Sequence, residues 1–168
     1  MMKLKICVSG ILTLALTAAL AIAADLTADG ILGFKWGESL KDNPGVTELY
    51  TMQNMDTAYS LDDQPTAFWG LDVNQVTLWG CQGHLVAANI EFIDPSSIPA
   101  ARNKLTELLG QPQVTCDGRR MAWNKDGLRA KADAQSNSIY IAYDPARYEF
   151  CPRIPEKPRS PLHTPIDK

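Results

Sequence analysis

One stretch of this chain repeats its apolar residues at helical spacing, and segments on both sides of it alternate in steps of two. Ile98, Ala101, Leu105, Leu108 and Leu109 make one stripe across residues 97–109, the period of an amphipathic helix. Ser96 or Ser97 can cap its start, because a serine oxygen accepts from the unpaired N–H groups of a first turn. Pro99 is tolerated there, since those N–H groups lack helical partners. Gly110 supplies a left-handed stop and Pro112 prevents resumption. A helix with one apolar stripe needs a surface to lie on, and the alternating segments supply it.

Residues 73–79 and 85–93 read as strands joined through Gly80-Cys81-Gln82-Gly83. In the second, Val86, Ala88, Ile90 and Phe92 share a face. A three-stranded meander follows the helix. Asn124-Lys125-Asp126-Gly127 fits a type I turn with glycine at the bulge position. That register sets Trp123 opposite Leu128 and Met121 opposite Ala130, all inward, and leaves Arg120, Arg129 and Lys131 outward. Ile139, Ile141 and Tyr143 form the inner face of the last strand, with Tyr140 outside. Near the start, residues 31–37 place Leu32, Phe34 and Trp36 on one face of a short strand. Residues 39–42 add a helical turn, stopped by Asn43-Pro44-Gly45. Residues 46–61 are ambiguous and are read as a hairpin turning near Gln53-Asn54, followed by a loop at Asp62-Asp63-Gln64-Pro65. The expected fold is α+β: an antiparallel sheet with one main helix packed on one face, and a loop-rich N-terminal half.

Residues 1–24 carry a different signal. Lys3 and Lys5 precede an apolar run, which ends at Ala21-Ile22-Ala23. A charged start, an apolar middle and an A-x-A end make the layout of a secretory signal peptide. The expectation is a periplasmic or secreted protein whose mature chain begins near Ala24 or Asp25. An uncleaved anchor is the alternative, and the run is barely long enough for one. Cys7 lies at the start of the run, whereas a lipidated cysteine would sit at its end. Residues 25–151 then form one α+β domain, with no membrane span once the leader is cleaved. Residues 152–168 are expected to form a proline-rich, disordered tail. Pro152, Pro155, Pro158 and Pro161 recur at every third residue, the repeat of a polyproline II rod. The tail is a ligand for a proline-recognising groove, a spacer or an inert terminus.

Charge is uneven. The whole chain carries a formal −3, and losing Lys3 and Lys5 makes the mature chain more acidic. From Asp25 to Ala101 two lysines stand against eleven carboxylates, whereas Arg102 to Cys151 has eight cations and six acids. An acidic half argues against nucleic acid or anionic lipid, which need a clustered cationic surface.

An oxidising compartment makes a disulfide the default for Cys81, Cys116 and Cys151. Three connectivities exist, each leaving one thiol over. The helix should run back antiparallel to strand 85–93, which returns Cys116 to the end of the sheet that holds Cys81. The expected bridge is Cys81–Cys116. Cys81-x-x-His84 offers another reading, a metal-handling protein with Cys116 as a third ligand. A structural zinc site needs four such ligands, usually as two close pairs, and this is one pair, with His163 far along in the tail. Neither His84 nor His163 adjoins a nucleophile elbow. A small carboxylate-dependent hydrolase is a further alternative, with Asp56, Asp62, Asp63 and Asp72 as the cluster to examine. No cofactor or metal is expected.

Arg120, Arg129 and Lys131 with Tyr140 make the leading binding candidate. Cations on neighbouring strands beside an aromatic ring can hold a carboxylate or an acidic partner. Trp69 and Trp79, read as partly exposed near turns, are candidate interface aromatics, while Trp36 and Trp123 read as core. The expected function is a non-enzymatic periplasmic binding protein acting on an envelope protein partner.

The segment Leu108-Leu109-Gly110-Gln111-Pro112, followed by a tryptophan strand at residues 121–124 and a hairpin, resembles a pattern of small periplasmic proteins. The SmpA-like outer-membrane assembly lipoproteins and the β-lactamase-inhibitor-protein repeats are similar in this way. The opening Gly33-Phe34-Lys35-Trp36-Gly37-Glu38-Ser39 also resembles uncharacterised secreted bacterial families. The resemblance covers mainly residues 97–143 and implies a non-catalytic envelope module. Two departures stand against it: the lipidated cysteine is missing, and one strong helix precedes the meander where two are expected. No functional residue carries over.

Overall fold

The computed structural model describes residues 25–52, 56–114 and 118–151. The expected leader at 1–24, the expected turn near Gln53-Asn54, Cys116 and the expected tail at 152–168 lie outside the described residues. The described residues form eleven strands and two helices, in the order β1 Gly30–Ile31, β2 Phe34–Lys35, β3 Val46–Thr51, β4 Asp56–Leu61, β5 Ala67–Phe68, β6 Leu71–Cys81, β7 His84–Phe92, α1 Ser97–Leu109, β8 Gln113–Val114, β9 Arg120–Lys125, β10 Leu128–Asp133, β11 Ser138–Tyr143 and α2 Asp144–Phe150. β1 and β2 pair with each other, and the other nine strands form one sheet of order β3-β4-β6-β7-β11-β10-β9-β8, with β5 on β6. Every pairing is antiparallel.

The period-two pattern explains the core. Val76, Leu78, Ala88, Ile90, Ala130, Ala132, Ile139 and Ile141 face one side of the sheet and are shut from solvent. α1 lies across that side against β6, β9, β10 and β11, burying Ile98, Ala101, Leu105 and Leu109. Leu108, placed on the same stripe by the sequence, is instead 42% exposed. Leu26, Ile31, Leu40 and Phe68 close the core beside the helix. The other side of the sheet is only partly covered.

Several expectations change. The α+β class holds, but α2 is a second helix that the strand-and-tail reading lacked. Asp144 and Pro145 open it, an acid and a proline being favoured in a first turn. The N-terminal half is not loop-rich, since β1 to β6 fill much of it. Segment 31–37 is not one strand. Leu32 and Gly33 both take positive φ, 53° and 85°, and fold it into the β1–β2 hairpin. The same two-residue turn, positive at both positions, recurs at Gln82-Gly83 and Asp126-Gly127. It matches strand twist better than a type I turn does. At Asp126-Gly127 it pairs Lys125 with Leu128 and Trp123 with Ala130. The expected register is thus off by two residues, and because side chains alternate with period two the inward and outward sets survive.

β3 and β4 do form the expected hairpin strands. Val86 leaves the face of Ala88, Ile90 and Phe92. Trp79 pairs with Ala87 but Gly80 with Leu85, so Val86 is the extra residue of a bulge. It turns to the far side, joining Cys81 and Ala146 of α2. Ser96 is the N-cap of α1 without a side-chain cap bond, and Asp94 Oδ1 instead accepts from the Ser96 N–H at 2.8 Å.

The disulfide joins Cys81 to Cys151, with Cα atoms 5.8 Å apart. One sulfur makes one bridge, so the expected Cys81–Cys116 pairing gives way. The difference comes from α2, which the sequence pattern does not reveal. That helix runs back over the sheet from the end of β11 and delivers Cys151 to the end of β6.

Candidate functional site

The side of β9, β10 and β11 opposite α1 carries the outward row that the sequence singled out. Ladder register places Arg120 opposite Asp133 and Ala122 opposite Lys131. It also places Lys131 opposite Tyr140 and Asp133 opposite Ser138. A row of short or polar side chains, Thr77 on β6 and Asn89 on β7, continues the Tyr140 line toward the other edge. Ala122 is small between longer neighbours, and a groove of about 440 Å³ opens over it. Arg120, Lys131, Asp133, Ser138 and Tyr140 are among its walls. A second hollow of about 230 Å³ lies on the other side of Lys131 and includes Arg129 and Asn124.

The cations of this face differ in one respect. Arg120 Nε donates to Asp133 at 2.9 Å, and Arg129 meets Asp144 at 2.6 Å. Arg147 of α2 meets Asp56 at 2.7 Å, the carboxylate being nearly buried. Lys131 is exposed and makes no hydrogen bond or ion pair among the described residues. Tyr140 lies opposite it on β11, and its hydroxyl likewise makes no hydrogen bond among the described residues. Burial pushes the Tyr140 phenol up from its ordinary value, with the charges of Arg147, Asp56, Arg129 and Asp144 acting in both directions around it. Asp133 is held low, chiefly by the Gln135 backbone N–H.

Of the sequence candidates, Arg120, Lys131 and Tyr140 come together in one groove and Arg129 in the adjoining one. Trp79 shares the face but sits strands away on β6, edge-on to Tyr50 at 6.1 Å. Trp69 is not brought there. It sits in the turn between β5 and β6, its ring tilted against Phe68 at 4.4 Å and its backbone N–H donating to Asp25 Oδ2 at 2.6 Å. Asp144 and Arg147 belong to this face and were missed, and Asp56, singled out in the sequence for a carboxylate cluster, instead holds Arg147 here. The readable signal was the Asp-Pro start of α2, which puts Asp144 and Arg147 one turn apart over the sheet.

The remaining constellations separate. Asp56 opens β4 while Asp62 and Asp63 lie past its other end, about 20 Å away at strand rise. Asp62 accepts from Thr47 Oγ1 at 2.7 Å. Cys81 and His84 face each other across the β6–β7 turn, but the Cys81 sulfur is taken by Cys151. The His84 ring stacks on Phe150 at 3.9 Å, with Nδ1 2.9 Å from the Gly37 carbonyl. Among the described residues, three metal-ligating groups converge only at Asp56, Cys81 and Cys151, where two are the disulfide and the third is held by Arg147. No helix among the described residues is long and apolar enough to cross a membrane.

No protein-family model matches this chain, and no curated protein and no solved structure matches it.

Proposed function

We propose that this chain is an exported, non-enzymatic binding protein that holds an envelope protein partner on the open face of its sheet. The observation that carries the reading is the groove over β9–β11, into which Lys131 brings a charge that has no hydrogen bond or ion pair among the described residues. A charge kept on a structured surface and left unpaired is free to pair with something else. The neighbouring Arg120, Arg129 and Arg147 are held in place by their own carboxylates. The Cys81–Cys151 bridge suits the oxidising compartment that the leader implies. Asp133 on the groove wall and Asp94 are both held low. A general acid requires the opposite direction.

The test is affinity capture of the mature protein from its own envelope extract, run with two charge variants. Lys131→Glu reverses the groove. Lys104→Glu reverses an exposed lysine on α1, across the sheet. The expected result is a partner enriched by the wild type and by Lys104→Glu but not by Lys131→Glu. Capture that enriches no protein, or that is indifferent to Lys131→Glu, rejects the reading.

A further inference from the structure

We infer that the groove over β9–β11 takes an acidic segment of a polypeptide, with one of its carboxylates seated between the Lys131 ammonium and the Tyr140 hydroxyl. The inference rests on the binding reading above and adds the chemistry of the bound segment. Lys131 and Tyr140 are directly opposed across the β10–β11 ladder, and both line the groove. Opposed side chains on one sheet face have Cβ atoms about 5 Å apart. From Cβ atoms so spaced, the flexible lysine stem can bring its ammonium toward the phenol, so that the two reach the two oxygens of one carboxylate. Both are donors without a hydrogen-bond partner among the described residues. The hydroxyls of Ser136 and Ser138 are at the same groove, 2.8 Å from each other. The acceptor present, Asp133, is already occupied by Arg120 and by the Gln135 N–H. The free capacity of the groove is therefore donor capacity, and its complement is an anion.

The size and openness of the groove choose a chain over a small anion. A volume of about 440 Å³ far exceeds one carboxylate, and small-ligand sites bury most of their ligand. Here Lys131 is exposed and the Arg120 side chain is 67% exposed. An exposed ammonium–carboxylate pair is weak by itself. A polypeptide adds contact area over Ala122 and the aliphatic stems of Arg120 and Lys131, which a free ion cannot do. Nucleic acid is a poorer fit, because three of the four cations on this face are already neutralised and backbone phosphates need several free ones.

The test uses the full mature chain and a blocked peptide of four glutamates, acetylated at the N-terminus and amidated at the C-terminus. The readout is the amide chemical shifts of β9, β10 and β11. The expected result is a saturable change at Ala122, Lys131 and Tyr140. It should weaken about two- to fivefold in Lys131→Met, as loss of roughly one exposed charge pair implies, and fade as salt is raised to ~0.5 M. Tyr140→Phe should weaken it without changing the fold, since that hydroxyl makes no hydrogen bond among the described residues. The proposal is overturned if the glutamate peptide shifts nothing, if the matching glutamine peptide works equally well, or if acetate at the same carboxylate concentration reproduces the shifts. If the peptide fails while a captured envelope partner still depends on Lys131, the acidic-segment proposal falls and the binding reading survives. If the capture shows no such dependence either, both fall.

Discussion

Tyr140 and Lys131 are neighbours on one ladder, yet their surroundings treat them differently. Lys131 stands in solvent, while Tyr140 is half-buried and its phenol is pushed up, first by burial. A tyrosine with a raised folded-state pKa favours the neutral phenol. Its contribution to stability is whole below the ordinary value of about 10 and is lost as pH rises through the folded value. Tyr59, whose phenol is also raised by burial and then by Glu48, adds to the same decline. The prediction is a fall in stability above about pH 10 that is shallower in Tyr140→Phe. A denaturant series across alkaline pH, followed with the ultraviolet phenol titration, measures it. Equal slopes in both proteins would sink the assignment. Gly127 gives a second test. Its φ is +84°, and an added Cβ would lie 2.8 Å from Pro145 Cδ. Gly127→Ala should cost about 2 kcal/mol, from a left-handed alanine and a displaced proline together. A loss below about 0.5 kcal/mol would mean that the turn is not of this type.

Among the elements, the helix α1 was readable because five apolar residues repeated at its own period. The outward row on β9–β11 was readable for the corresponding reason, since alternation fixes faces even when register slips by two. What escaped was short or contextual. α2 is seven residues long, too short for a periodic stripe to show and too short to stand without tertiary support. It rests on Ala146 packed against Cys81 and Val86, on two ion pairs and on the disulfide. The bulge at Val86 escaped because one extra residue leaves no compositional mark. These omissions explain the cysteine error, as Cys151 could not be placed without α2. Peptide mapping under non-reducing conditions should recover a Cys81–Cys151 pair, and alkylation without reductant should mark Cys116 in the mature chain. A Cys81–Cys116 peptide would contradict the fold around α2. The bridge spans 70 residues, for which loop closure alone gives about 4 kcal/mol. Cys151→Ala should lose up to that amount in a denaturant melt, and no loss would mean that α2 is not held by the bridge.

At the scale of the whole molecule, the sheet has one face closed by α1 and another that α2 covers in part. Closing the first face uses the apolar half of nearly every strand. The polar half is left to hold α2 at one end and the groove at the other. Sequence reading reached the identity of that polar half through Arg120, Arg129, Lys131 and Tyr140. It could not say which cations were spent inside the molecule, because Asp133, Asp144 and Asp56 reach them only through strand order and α2. That distinction, more than the row itself, isolates Lys131. The most direct measurement is a hydrogen-exchange footprint of the mature protein bound to its captured envelope partner. The account predicts slowed exchange in β9, β10 and β11 around Ala122, Lys131 and Tyr140, with the outer side of α1 unchanged. Slowed exchange confined to α1 or to the β3 edge, with β9–β11 untouched, would contradict it.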